Sequence, residues 1–188
     1  RKRWLEQLVA AALKHGCEQV VVLGAGFDTL AWRFHRAWPA VLFCELDHPA
    51  TQRPKSAALA ALPPDENFVL QPTDLGRELP TVALRRLARF DPHRDTCFVA
   101  EGLLMYLEES RVAELLRDIA SLPSVMVAFT FMEPDADGRA AFRGNRTFIN
   151  AWLRRQGEPF TWAIARAGLG DFLGRLGLRV QSLADAEE

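Results

Sequence analysis

The sequence lacks three features that would each indicate a particular class of protein. No apolar run approaches the roughly 18 residues that a membrane-spanning helix needs, and the N-terminus lacks a charged-then-apolar signal pattern. Charge of one sign is not in excess either, with 23 basic and 24 acidic residues. Because such a balance creates no overall field toward nucleic acid or an anionic membrane surface, we expect neither as a partner.

Cysteine and metal-ligand patterns are also sparse. The three cysteines are an odd number without a C-x-x-C pair, and Cys44 and Cys97 lie inside apolar runs. There a thiol behaves as a small hydrophobe, which indicates a reducing, intracellular setting, and we expect a cytoplasmic protein. The four histidines have no metal-ligand spacing, so no metal site is predicted. These are His15, His35, His48 and His93.

An initiator methionine is absent, and "RKRWLEQL" begins the sequence already in helical rhythm. We therefore expect a further N-terminal segment ahead of residue 1. The 188 residues are 49% hydrophobic and contain no repeat or Ser/Gly-rich linker, which predicts a single domain over 1–188.

Hydrophobic runs alternate with helical patterns along most of the chain. Continuous apolar runs typical of buried parallel strands are "QVVVLG", "VLFCEL", "NFVLQ", "TCFVAEG" and "SVMVAFTF", with a weaker final strand, "RVQSL". Helical patterns occupy about 3–15, 30–38, 51–61, 82–90 and 109–121, and two more are predicted within 138–157 and 168–178. The alternation predicts an α/β fold with a doubly wound, mostly parallel sheet.

A glycine-rich segment follows the first strand in "VVVLGAGFDT", and residues 24–28 are called the glycine turn below. Gly24 and Gly26 form G-x-G, but Thr29 stands where a dinucleotide fingerprint has its third glycine. Asp28 also places negative charge near the position of a diphosphate. A nicotinamide-dependent oxidoreductase is therefore disfavoured, whereas a tight turn without any ligand stays open as an alternative.

Acidic residues follow at the distance that favours a ribose contact. Glu45 and Asp47 lie 19 and 21 residues after Gly26, where a carboxylate accepts hydrogen bonds from ribose hydroxyls. A ligand with a ribose, a positive charge and no phosphate suits both the acids and the turn. S-adenosylmethionine has all three properties, and we predict it as the cofactor.

Four motifs in this order resemble the leucine carboxyl methyltransferase family. They are "VVVLGAGFDTLAWR", "ELDHP", "TDL" and "FVAEGLLMYL", and the match is strong from residue 1 to 107. Bacterial members are S-adenosylmethionine-dependent O-methyltransferases with a Rossmann-like fold. The resemblance implies the same activity here, on a carboxylate or hydroxyl of a small molecule or peptide end.

The same resemblance implies roles for individual residues. An arginine ahead of the first strand, Arg1 or Arg3, contacts the cofactor carboxylate, and a segment ahead of it covers the cofactor. The other implied contacts follow chain order: the glycine turn with Gly24, Ala25 and Gly26, then Asp47 or Glu45 on the ribose, Asp74 and Leu75 beside the adenine, and Glu101 near the methionyl part. Because the covering segment is absent from this sequence, we expect the 188-residue chain to bind the cofactor weakly or not at all. The sequence departs from the family at Leu30, where bacterial members often carry arginine.

Several of these residues also have ordinary structural interpretations. Asp74 follows a strand and either accepts from the adenine amino group or caps a helix. Glu101 ends an apolar strand, where its carboxylate pairs with a cofactor ammonium or with an arginine. Tyr106, the single tyrosine, either lines the substrate pocket or is a buried aromatic residue with a satisfied hydroxyl.

Two broader alternatives remain at this stage. Arginines 143, 146, 154 and 155 form a basic helical face, for which solvation is the preferred interpretation and attraction of an anionic substrate the second. A binding module that has lost catalysis is the alternative to an enzyme. Joint retention of the glycines and the acids at 47, 74 and 101 favours the enzyme.

Overall fold

The computed structural model describes residues 2–60, 62, 66–138, 140, 155 and 159–185. Five strands form one parallel sheet in the order β3-β2-β1-β4-β5. The strands are β1 (Gln19–Leu23), β2 (Leu42–Asp47), β3 (Phe68–Pro72), β4 (Thr96–Ala100) and β5 (Val125–Phe129). This arrangement confirms the predicted doubly wound, parallel α/β fold.

Helices connect the strands, as parallel pairing requires. The α-helices are α1 (Lys2–Lys14), α2 (Leu30–Phe34), α3 (Pro49–Leu59), α4 (Pro80–Leu84), α5 (Glu109–Ala120) and α6 (Arg166–Gly174). Short 3₁₀ helices cover His35–Ala37 and Leu104–Tyr106. Within the described ranges, none of the helices combines the length and apolar character needed to cross a bilayer.

The strand β1 lies at the centre of the sheet, and all five of its residues are buried. Val21 is in register with Cys44 of β2 on one side and with Phe98 of β4 on the other. Because both faces of β1 are covered, its sequence is continuously apolar rather than alternating. The strand therefore carries the glycine turn out of the most buried part of the molecule.

Two apolar clusters cover the two faces of the sheet. Val21, Cys44 and Phe98 pack with α5 and α6 on one face. Val20 and Phe43 pack with α1 and α2 on the other face. Successive residues of each strand point to opposite faces, so each strand contributes to both clusters.

The C-terminal part departs from the sequence prediction. Residues 179–183 were expected as a final strand, but they belong to no strand, and the described residues 179–185 make no backbone hydrogen bonds to β5. Instead they line a groove of about 750 Å³ together with β5, α6 and the first turns of α1. The expectation was wrong because this segment stands away from the edge of β5, beyond the reach of a backbone ladder.

Other boundaries differ less. The helix expected over 82–90 is a short α4 that ends at Leu84, followed by turns as far as Phe90. The helix expected over 168–178 is present as α6, whereas most of the helix predicted within 138–157 lies outside the described residues. The five strands and the segments that directly follow β1 to β4 are among the described residues.

Candidate functional site

In an open parallel sheet the ligand crevice is expected at the carboxyl ends of the strands, and this side of the sheet is called the carboxyl edge below. From β1 the chain winds outward through β2 and β3 on one side and through β4 and β5 on the other. Strand order therefore reverses between β1 and β4, and in open α/β sheets ligands bind at such a switch point. The glycine turn begins at this point, directly after β1.

The two glycines of the turn serve different purposes. Both have positive φ angles, 62° at Gly24 and 53° at Gly26, which residues with a side chain adopt only with strain. A Cβ atom on Gly24 would lie 2.8 Å from Leu103 Cδ1, so this glycine permits close packing against the loop after β4. A Cβ atom on Gly26 would meet nothing within 4 Å. The backbone at Gly26 thus faces open space.

Asp47 joins the end of β2 to the glycine turn. Its Oδ2 accepts a hydrogen bond from the Gly26 N–H, and its Oδ1 accepts one from the His48 N–H at 2.5 Å. The residue is 9% exposed. Because each carboxylate oxygen has a second lone pair, Asp47 retains the capacity to accept from a ligand hydroxyl.

Asp28 closes the glycine turn and begins α2. Its Oδ1 accepts from the Leu30 N–H at 2.8 Å, and its N–H donates to the Ala25 carbonyl at 2.8 Å. The ammonium of Lys2, at the start of α1, lies 3.2 Å from the same Oδ1. The beginning of the described chain is therefore beside the glycine turn, while Arg1, the predicted carboxylate-binding residue, lies outside the described residues.

Glu45 is not placed like Asp47, although the two are two residues apart on β2. Its side chain is 1% exposed, and its Oε2 lies 2.5 Å from the Lys55 Nζ. Burial raises the pKa of the Glu45 carboxyl, the Lys55 ammonium lowers it in part, and Asp28 and Asp47 add to the increase. The carboxylate is therefore engaged in a buried ion pair, and of the two acids Asp47 is the one at the glycine turn.

Lys55 makes a second contact inside the same region. Its Nζ donates to the Asp28 carbonyl at 2.5 Å, so α3 is connected to both β2 and the glycine turn. Gln52, one turn earlier, donates its side-chain N–H to the Glu45 carbonyl at 2.9 Å. Gln52 and Lys55 are the buried residues of α3, so the inner face of this helix is polar.

Asp74 and Leu75 begin the loop that follows β3. Asp74 Oδ1 accepts from the Gly76 N–H at 3.0 Å, and its Oδ2 lies 3.5 Å from Arg77 Nε. The carboxylate thus caps a turn, and the helix-cap interpretation is wrong because α4 begins only at Pro80. Leu75 packs its side chain into the core, so only its backbone is placed to meet a ligand.

The loop after β3 is held from α5. Arg111 donates its Nε–H to the Leu75 carbonyl at 2.8 Å and an Nη2–H to the Glu78 carbonyl at 2.6 Å. The guanidinium also pairs with Glu114 at 2.9 Å. The Leu75 and Glu78 carbonyls of this loop therefore both accept hydrogen bonds from one side chain of α5.

The segment after β4 forms the other side of the switch point. Glu101 is half-buried there, and Gly102 has a φ of 65° and donates its N–H to Thr130 Oγ1 at 2.8 Å. Tyr106 is 38% exposed, with its ring centroid 5.2 Å from that of Phe160. Its interpretation as a buried aromatic residue is therefore wrong.

Some residues at this edge are not predicted by the sequence pattern. Lys55, Gln52 and Arg111 lie within helical patterns, where polar residues are typical of the solvent face, so the sequence does not predict their contacts with backbone carbonyls. Phe27, in the glycine turn, is 70% exposed, and exposure of an apolar side chain cannot be derived from local pattern. Arginines 143, 146 and 154 of the predicted basic face lie outside the described residues, and Arg155 is exposed.

Metal ligands are not grouped in this region. Among the residues that the structure describes, no three His, Cys, Asp or Glu side chains are arranged to hold a metal ion. The described polar groups at the carboxyl edge include acids, backbone amides, Lys2 and Lys55.

Comparison with known proteins places these observations in a family context. The leucine carboxyl methyltransferase family model matches residues 1–120. A Mycolicibacterium smegmatis protein named as an S-adenosyl-L-methionine-dependent methyltransferase is 35% identical, over 96% of this chain and 61% of its own length. A Mycobacterium marinum protein with the same description is also 35% identical, over 92% and 58%. The chain thus spans about three fifths of the length of these curated relatives.

Solved structures share the fold at low sequence identity. An O-methyltransferase family protein from Burkholderia thailandensis is 15% identical with a TM-score of 0.60, covering 97% of this chain and 53% of its own. The magnesium protoporphyrin IX methyltransferase from Synechocystis, solved with bound S-adenosylhomocysteine, is 14% identical with a TM-score of 0.56, covering 93% and 71%. Both confirm a Rossmann-like methyltransferase fold.

Proposed function

Because this chain belongs to the leucine carboxyl methyltransferase family, we propose that it binds S-adenosylmethionine at the carboxyl edge of its sheet. We further propose that it is an O-methyltransferase acting on a carboxylate or hydroxyl of a small molecule or peptide end. The observation that carries the proposal is the open glycine turn at the switch point, joined through the Gly26 N–H to Asp47.

The order of polar groups along the sheet edge matches the order of chemical groups in the cofactor. Asp74 follows β3, Asp47 ends β2, the glycine turn follows β1 and Glu101 follows β4, and these strands are consecutive neighbours. Three strand spacings of about 4.8 Å span about 14 Å, enough for an extended nucleoside with a methionyl chain. Adenine, ribose and methionyl group would then meet Asp74, Asp47 and Glu101 in turn.

The residues at the edge suit a cation without phosphate. Open space in front of Gly26 allows a ligand to approach the backbone closely. The carboxylates of Asp28 and Asp47 flank the turn and would repel a diphosphate, whereas they attract a sulfonium. This chemistry supports S-adenosylmethionine over a dinucleotide.

The chain's own residues would act mainly by position. When bound, the cofactor would supply an activated methyl group for the acceptor oxygen and would leave as S-adenosylhomocysteine. Asp47 would hold the ribose, and the glycine turn would fix the methionyl part. Holding reactants in near-attack geometry contributes roughly 7–11 kcal/mol to lowering such barriers. Tyr106, exposed after β4, would line the acceptor side.

The acceptor class determines whether a base is needed. A carboxylate is ionised near neutral pH and can attack without losing a proton. A phenol or alcohol would need a general base within hydrogen-bonding reach. A carboxylate acceptor therefore places the smaller chemical demand on this edge of the sheet.

Binding is tested by titrating the ¹⁵N-labelled protein to millimolar concentrations of S-adenosylhomocysteine, S-adenosylmethionine or NAD and recording amide shifts. We expect saturable shifts at Gly26, His48 and Gly102 with the two sulfur ligands only. Such shifts are detectable even for weak binding. A response to NAD alone, or none at these amides, would reject the proposed site.

Turnover is tested with methyl-labelled S-adenosylmethionine and a panel of carboxylates, phenols and alcohols. Mild alkali hydrolyses methyl esters to volatile methanol but leaves methyl ethers intact, so the label reports the acceptor class directly. We expect alkali-labile product. Amide shifts at the site without product from any acceptor would instead indicate a binding module.

A further inference from the structure

The burial of the ion pair between Glu45 and Lys55 is not explained by its contribution to fold stability. Removing two charges from water costs several kcal/mol per ion, and apolar replacements of similar volume are often as stable or more stable. Lys55 nevertheless occupies the inner face of α3, where an amphipathic helix would normally place apolar residues. The burial of this pair therefore indicates a role other than stabilising the fold.

The second contact of Lys55 indicates what that role is. Its Nζ lies 2.5 Å from Glu45 Oε2 and donates to the Asp28 carbonyl at 2.5 Å. Glu45 belongs to β2 and Asp28 closes the glycine turn, so one ammonium connects the sheet to the turn. With a side-chain exposure of only 7%, Lys55 is held in this geometry by its surroundings.

Both main-chain polar groups of Asp28 are bonded. Its N–H, part of the Phe27–Asp28 peptide, donates to the Ala25 carbonyl across Gly26, and its carbonyl, part of the next peptide, accepts from Lys55. A displacement of Asp28 would therefore change the open backbone at Gly26. Lys2 reaches only the half-buried carboxylate of Asp28, at 3.2 Å, from a helix terminus that frays easily. Lys55 is the buried attachment of the Asp28 main chain.

We infer that Lys55 is a positioning residue of the cofactor site: its ammonium, held by Glu45, fixes the Asp28 carbonyl and with it the glycine turn. The inference rests on the proposed function for its ligand, but the effect on the turn is a property of the free protein. Lys55 itself contacts no reacting atom in this account.

The test separates positioning from simple charge pairing. Lys55→Met removes the ammonium but leaves Glu45 buried and unpaired, so it can lower fold stability for that reason alone. The double variant Glu45→Leu with Lys55→Met replaces the pair by apolar groups and removes that problem. Lys14→Met, at the exposed end of α1, is the control for loss of one lysine.

Two measurements are made on each variant that folds: amide hydrogen exchange at Asp28 and Leu30, and affinity for S-adenosylhomocysteine. We expect the double variant to keep a thermal midpoint near that of the wild type. At Asp28 and Leu30 it should exchange about tenfold faster, the effect of losing one hydrogen bond to a charged donor, and its affinity should fall by a similar factor. Lys14→Met should change neither quantity.

Wild-type exchange at both amides in the double variant would overturn the inference, because the turn would then be ordered without Lys55. Equal affinity for S-adenosylhomocysteine in the wild type and the double variant would also overturn it. If the wild type binds no S-adenosylhomocysteine but the double variant exchanges faster, the proposed function fails, whereas the attachment of the turn by Lys55 stands.

Discussion

Asp47 and Gly26 are joined by one hydrogen bond, yet each has a separate effect on ligand binding. Asp47 offers charge and lone pairs to a hydroxyl, whereas Gly26 offers space and an exposed backbone. Substitutions at the two positions should therefore change ligand affinity and fold stability in different proportions.

Asp47→Asn should weaken binding of S-adenosylhomocysteine by about 1–3 kcal/mol, because ribose hydroxyls lose a charged acceptor. The asparagine oxygen can still accept from the Gly26 N–H and keep the turn attached, whereas the hydrogen bond from the His48 N–H is lost because an amide nitrogen cannot accept it. Calorimetric titration measures the change. Asp95→Asn, an exposed carboxylate at the opposite edge of the sheet, is the matched control. Equal affinities in the two variants would show that Asp47 does not bind the ribose.

Gly26→Ala should abolish detectable ligand binding while lowering the free energy of unfolding by only about 1–2 kcal/mol, the cost of a left-handed backbone for alanine. The added methyl group enters the space where the ligand approaches. Gly16→Ala is the control, since Gly16 also has a positive φ angle, 96°, with nothing within 4 Å of an added Cβ. Urea unfolding and amide-shift titration separate the two effects. Normal ligand binding by folded Gly26→Ala would show that the turn is only structural.

Among the elements, α3 and α5 act on the site from outside the crevice. Through Lys55, α3 holds the glycine turn, and through Arg111, α5 holds the loop after β3. Both helices present a long basic side chain to backbone carbonyls, which are fixed acceptors. The two loops on either side of Asp47 are thus stabilised by helices rather than by their own internal hydrogen bonds alone.

Arg111→Met should lower both stability and affinity, because the Leu75 and Glu78 carbonyls lose their charged donor while the aliphatic stem is largely kept. A hydrogen bond to a charged group contributes about 1.5–3 kcal/mol to the free energy of unfolding. Arg117→Met, on an exposed position of the same helix, is the control. Thermal unfolding and ligand titration are compared in parallel. If the Arg111 and Arg117 variants match in both, the loop does not depend on α5.

For the whole molecule, the two apolar clusters and the central sheet determine which groups water can reach. Cys44 and Cys97 lie in strands at 0% exposure, and Cys17 is half-buried before β1. Burial raises the pKa of all three thiols. A raised pKa leaves less thiolate at a given pH, and the thiolate is the reactive form.

We therefore expect one slowly reacting thiol in the folded protein and three after unfolding in guanidinium chloride. Labelling with iodoacetamide followed by mass spectrometry counts the modified residues. The rate at Cys17 should keep increasing with pH above the range in which an exposed thiol has levelled off, because its pKa is raised. Rapid labelling of Cys44 or Cys97 in the folded protein would show that the central strands open readily.

The family and the parallel fold followed from the sequence by itself, because strand burial, turn glycines and acids at strand ends are properties of short stretches at fixed spacing. The core strands agree with the apolar runs to within about two residues, the usual range of boundary error. The final strand at 179–183 was wrong, since a strand needs a hydrogen-bonding neighbour and no local pattern states whether one is within reach.

Only the tertiary structure distinguishes the surroundings of Glu45 from those of Asp47. Residues two apart on a strand share a face, so the sequence pattern gives both acids the same side of β2. Packing of α3 against the sheet brings Lys55 to Glu45 and buries the pair, while Asp47, at the strand end, meets the Gly26 amide instead. Whether Glu45 is paired depends on Lys55, about ten residues further along the chain, and that contact exists only once the chain is folded.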